Sequence, residues 1–74
     1  MKGIKMASYY VNKNQQSNGD YEVHKTGCSY MPNIGNAHYL GEFNSCEPAV
    51  QKAKQLGYYT ADGCYFCCRP CHTS

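Results

Sequence analysis

The residues best suited to chemistry in this 74-residue chain are its six cysteines and three histidines. Four of the cysteines, Cys64, Cys67, Cys68 and Cys71, fall in the stretch GCYFCCRPCHTS, where two Cys-x2-Cys pairs lie back to back. Thiolates bind metal ions, form disulfides and act as nucleophiles. The residues near these cysteines determine which of these reactions they can perform.

A second cluster, HKTGC, places His24 and Cys28 in a His-x3-Cys unit well separated from the cysteine-rich stretch. Zinc favours four nitrogen or sulfur ligands in a tetrahedron, and small domains often present them as two paired clusters. A Cys-x2-Cys turn brings two sulfurs to one side while its amide groups donate to them. The pattern predicts a zinc site, whose second pair of ligands is Cys64 with Cys67, Cys68 with Cys71, or an overlapping Cys-x3-Cys pair.

Length and composition favour such a metal site. A chain this short forms one domain with a small core, which usually needs a metal or disulfides for stability. The sequence contains no apolar stretch long enough for a secretory signal or a membrane span, so we predict a cytoplasmic protein that does not contact membranes. In a reducing compartment, clustered cysteines are more often metal ligands than disulfides.

Local patterns predict a small α+β domain. Two β-prone segments, 9–11 and 21–23, flank a polar stretch that ends in the turn pair Asn18-Gly19, which indicates a hairpin. Residues 38–43 indicate a third strand. Ser45 is a suitable N-cap for a helix that Gly57 ends. We therefore expect a short antiparallel sheet with one helix packed on it, formed by residues 8–74 after a loose segment at 1–7.

The apolar positions of this helix share one face: Ala49, Val50, Ala53 and Leu56. The tyrosine pairs at 9–10 and 58–59 are predicted to cover the edge of the thin core with their rings, rather than to stack on nucleic-acid bases. The net charge of +2 comes from lysines spread along the chain, so charge alone does not argue for nucleic-acid binding.

The motifs HKTGC, EFNSCEPAVQKAKQLGY and GCYFC together resemble the small zinc-binding domain family typified by the N-terminal domain of the bacterial Ada DNA-repair protein. The resemblance covers roughly residues 20 to 70. It implies a zinc ion held by His24, Cys28, Cys64 and Cys67. The repair protein accepts a methyl group on the first cysteine of a Cys-x3-Cys unit, and His24 occupies that position here. An imidazole cannot act as that thiolate nucleophile, so we predict a binding module rather than an enzyme.

The remaining cysteines leave alternatives open. Cys68 and Cys71 are surplus to one zinc site and could act as a redox switch or in a thiol enzyme, or join Cys46 and His72 in a second site. Cys46 is also compatible with an inert buried thiol. Three functions therefore compete: a monomeric, zinc-stabilised module for an unidentified protein or nucleic acid, a thiol switch, and a DNA-contacting domain. A secreted, disulfide-knit miniprotein is a fourth reading of the same cysteines.

Overall fold

One helix packs on a four-stranded sheet in the computed structural model, which describes residues 5–73. The strands are β1 (Ala7–Asn12), β2 (Tyr21–Lys25), β3 (Ala37–Phe43) and β4 (Ala61–Gly63), and the helix is α1 (Cys46–Gln55). Short 3-10 turns cover Ile34–Asn36 and Arg69–Cys71. The α+β fold class predicted from the sequence is confirmed.

The hairpin predicted from the sequence forms as β1 and β2. The two strands pair antiparallel, with Tyr9 opposite Lys25 and Val11 opposite Val23. At the tip, Gly19 has a φ of +94°, a left-handed conformation that glycine adopts without a steric penalty. Strand β2 therefore runs back along β1 and delivers His24 next to the centre of the sheet.

The sheet has the strand order β3-β1-β2-β4 and is mixed rather than wholly antiparallel. β1 pairs antiparallel with both β2 and β3, whereas β4 pairs parallel with β2. Parallel strands need a crossover connection, and α1 provides it by carrying the chain from β3 at one edge to β4 at the other. This crossover brings residue 64 to the end of β2.

Helix α1 ends where the sequence predicts. Gly57 has a φ of +108°, its N–H donates to the Lys54 carbonyl (3.1 Å), and the Tyr58 N–H donates to the Ala53 carbonyl (3.0 Å). These two bonds form a Schellman motif. Ser45 occupies the N-cap position, although its side chain makes no capping hydrogen bond. Leu56, predicted to share the apolar face of the helix, is exposed because it lies at the C-cap, where the chain leaves the helix.

The core is small and includes sulfur atoms. Its buried members come from all four strands, the helix and the cysteine-rich loop, and two of them are cysteines: Tyr9, Val11, Val23, Leu40, Cys46, Ala49, Val50, Ala53, Ala61 and Cys68. Few of these are large aliphatic side chains. Hydrophobic burial alone therefore provides limited stability, as expected for a domain of this size.

The predicted boundary between a loose segment (1–7) and the domain (8–74) stays a prediction. Residues 1–4 lie outside the described part of the chain, and β1 already begins at Ala7, which pairs with Phe43. Within residues 5–73, no helix has both the length and the apolar character needed to cross a membrane.

Candidate metal centre

The four residues His24, Cys28, Cys64 and Cys67 meet where the ends of β2 and β4 lie side by side. His24 is the penultimate residue of β2, and Cys28 follows a turn closed by its own N–H, which donates to the Lys25 carbonyl (3.1 Å). Cys64 directly follows β4, and its N–H donates to the Val23 carbonyl (2.9 Å). This last bond extends the β2–β4 pairing by one residue and places Cys64 beside His24.

The ligand atoms of these four side chains all lie within 4.8 Å of one another. The Cys28 and Cys64 Sγ atoms are 3.9 Å apart, and the Cys67 Sγ is 3.9 Å from the His24 Nδ1. A tetrahedron with metal–sulfur bonds of about 2.3 Å has edges of about 3.8 Å. The two separations are close to these edges, so the cluster could hold a metal ion.

His24 is fully buried and presents its Nδ1 to the cluster. Its Nε2 lies 3.3 Å from the Glu22 Oε1 but makes no hydrogen bond in this geometry. Burial lowers the pKa of His24, while the Glu22 carboxylate opposes that shift. A neutral imidazole is the form that binds metals, and a carboxylate near its other nitrogen orients the ring and increases its basicity. Glu22 was not predicted to be part of the site, although its i, i−2 spacing from His24 places both on one face of β2.

The Cys67 sulfur is held by the main chain of β2. The Lys25 N–H donates to the Cys67 Sγ at 3.3 Å. Burial raises the pKa of the Cys67 thiol, and this N–H bond partly opposes the rise. Without a metal the thiol is protonated at neutral pH, so metal binding at this cluster releases protons. The same amide remains available to offset the charge of a bound thiolate.

No known protein family, curated protein or solved structure matches the chain. The resemblance to the Ada-type domain therefore stays a prediction that rests on the three quoted motifs.

Neither Cys68 nor Cys71, the surplus cysteines, belongs to the four-residue cluster, and the two are not paired with each other. Cys71 forms a disulfide with Cys46, with the two Cα atoms 6.3 Å apart. A disulfide between Cys68 and Cys71, considered for a redox switch, is thus not formed, and Cys46 is not a free thiol. The physical reason is that the turn at residues 69–71 carries Cys71 onto the first turn of α1.

Cys68 is buried in the core, and its Sγ lies 3.9 Å from the Cys67 Sγ. His72 lies beside β4, with its Nδ1 3.0 Å from the Gly63 carbonyl oxygen and 3.3 Å from the Asp62 Oδ2. Among residues 5–73, no second group of three or more His, Cys, Asp or Glu side chains comes within ligand distance. The second metal site considered for Cys46, Cys68, Cys71 and His72 is therefore not assembled.

The disulfide also bears on the predicted compartment. Disulfides persist mainly in oxidising compartments, whereas the cytoplasmic prediction assumed reduced thiols. The disulfide favours an oxidising compartment, whereas the sequence predicts a reducing one, so the cellular location stays a prediction. The four residues of the cluster keep their free thiols and imidazole in the same structure.

Gly63 allows the cysteine-rich loop to pack against β4, and we expect Gly63→Ala to destabilise the protein. A Cβ at this position would lie 2.6 Å from the Cys68 carbonyl oxygen and 2.7 Å from the Cys71 Cβ. Overpacking of this kind typically costs about 1–3 kcal/mol. Thermal unfolding should show the loss. Gly35→Ala is the matched control, because its Cβ would have no atom within 4 Å. Equal stability of the two variants would contradict the close packing at Gly63.

Proposed function

We propose that this protein is a zinc-binding, non-catalytic interaction domain. The observation that carries the proposal is the meeting of one imidazole and three thiols with ligand atoms within 4.8 Å of one another. Sulfur and nitrogen donors in a tetrahedral arrangement suit zinc, whereas oxygen-rich sites suit magnesium or calcium. The metal would be held by His24, Cys28, Cys64 and Cys67.

A closed coordination sphere supports a structural rather than a catalytic metal. Catalytic zinc sites keep one position open for water or substrate, and four protein ligands would fill all the positions of a tetrahedron. Such a metal would tie the end of β2 to residues 64–67, which are far apart in the chain. In a domain with so small a core, the free energy of metal binding would serve as folding free energy.

Metal analysis of the full chain, purified without added zinc, tests the proposal. We expect about one zinc per chain, and we expect a strong chelator to abolish the far-ultraviolet circular dichroism of the folded state. Reductant without chelator should leave the zinc in place. A folded chain without bound metal, or one that reductant alone unfolds completely, would contradict the proposal and favour a disulfide-knit miniprotein.

A further inference from the structure

Three exposed aromatic side chains form a connected cluster on the two loops that carry the cysteines of the candidate metal centre. Tyr30 stacks on Phe66 with ring centroids 4.2 Å apart and an interplanar angle of 20°, and Tyr65 meets Phe66 edge-on at 5.2 Å. Phe66 is 64% exposed and Tyr30 is 57% exposed. Contiguous exposed apolar surface of this kind marks a binding site more often than isolated exposed residues do. Below, Tyr30, Tyr65 and Phe66 are called the aromatic stack.

A cationic group adjoins the aromatic stack. The Arg69 guanidinium carbon lies 4.7 Å from the Tyr65 ring centroid, and its terminal nitrogen donates to the Tyr65 hydroxyl at 2.9 Å. The two loops that carry the aromatic stack contain no aspartate or glutamate (residues 26–36 and 64–73). Lys25 is exposed at the end of β2, directly before the first of these loops. The charges of Lys25 and Arg69 balance the single net negative charge that Zn²⁺ with three thiolates would add and the charge of the Glu22 carboxylate beside His24.

Planar rings beside a guanidinium, on loops that contain no aspartate or glutamate, complement a base next to a phosphate. Bases stack on aromatic side chains with about 1–3 kcal/mol per base, and arginine adds cation–π and phosphate contacts. Stacking requires base faces that a duplex hides between neighbouring pairs. The geometry points to single-stranded nucleic acid as the partner, with bases on the aromatic stack and the phosphate backbone at Arg69.

This inference rests on the proposed function, because the bound metal would hold the loop with Tyr30 against the loop with Phe66. The net charge alone did not predict nucleic-acid binding. The arrangement of exposed rings around Arg69 does. The tyrosine pairs at 9–10 and 58–59, predicted from the sequence to cover the core rather than to stack on bases, are not part of this surface. Tyr9 is buried in the core, whereas Tyr59 is 81% exposed and lies outside the aromatic stack.

Fluorescence anisotropy with a labelled single-stranded oligonucleotide and the matching duplex, at low salt, tests the inference on the zinc-loaded full chain. We expect the single strand to bind more tightly than the duplex. Phe66→Ala should weaken single-strand binding about 5- to 150-fold, while Tyr59→Ala should leave it unchanged. Arg69→Gln should weaken binding and reduce its salt dependence.

The zinc content of each variant is measured first, so that the two proposals fail separately. A zinc-loaded protein that binds no oligonucleotide would overturn this inference and leave the metal proposal intact, with a protein as the remaining partner. Equal binding of strand and duplex, or equal losses in Phe66→Ala and Tyr59→Ala, would also overturn it. A folded protein that binds the strand without any metal would support the stacking surface and contradict the zinc proposal.

Discussion

Replacing Cys64 with alanine is expected to abolish zinc binding and unfold the protein, whereas the same replacement at Cys68 should leave both zinc and fold in place. Both side chains are 1% exposed, and each replacement removes one sulfur atom, so the packing cost is similar in the two variants. Only Cys64 belongs to the four-residue cluster. Structural zinc sites in small domains contribute about 10–16 kcal/mol of apparent binding free energy at pH 7, which exceeds the stability of most domains.

The comparison separates a role as metal ligand from a role in packing. Metal analysis and thermal unfolding of the two variants, purified in parallel, provide the readouts. For Cys68→Ala we expect a loss of roughly 1–2 kcal/mol from the small cavity and one zinc per chain. Retention of zinc by Cys64→Ala, or an equal loss of stability in both variants, would mean that Cys64 acts as an ordinary core residue.

Local sequence signals were sufficient for the elements whose structure is set by neighbouring residues. The Asn18-Gly19 turn pair predicts the hairpin, and Gly57 predicts the end of α1, because each glycine adopts a left-handed backbone there. The parallel strand β4 was not predicted. It has three residues, too few to show a periodic pattern, and its pairing with β2 arises only after the α1 crossover is in place.

The choice among the C-terminal cysteines illustrates the same limit. Cysteine spacing alone leaves several pairings open, since six cysteines allow 15 disulfide connectivities. Backbone hydrogen bonds, which cysteine spacing does not show, determine which pairing forms. The Cys64 N–H donates to Val23 beside His24, and the Cys68 N–H donates back to the Cys64 carbonyl at 2.8 Å. This turn places Cys64 and Cys67 at the cluster and leaves Cys68 in the core.

Two constraints converge on one loop. The disulfide joins the first residue of α1 to Cys71, and a metal bound at the cluster would join β2 to residues 64–67. Between them, Cys68 packs into the core and Asp62 accepts hydrogen bonds from the Thr73 N–H (3.0 Å) and hydroxyl (2.7 Å). A loop fixed at several points presents Tyr65 and Phe66 in a defined position, which a binding surface requires.

Removing the disulfide with the double replacement Cys46→Ala and Cys71→Ala should destabilise the protein by about 3 kcal/mol without removing the metal. The bond closes a loop between residues 25 positions apart, and the loss of that constraint increases the entropy of the unfolded chain. In a domain of this size the loss corresponds to a melting temperature lower by roughly 10–25 °C. Thermal unfolding and zinc content provide the measurements, and reductant added to the unaltered chain should reproduce the shift. A double variant as stable as the unaltered chain would show that the bond is not formed, and a double variant without zinc would place Cys46 or Cys71 among the ligands.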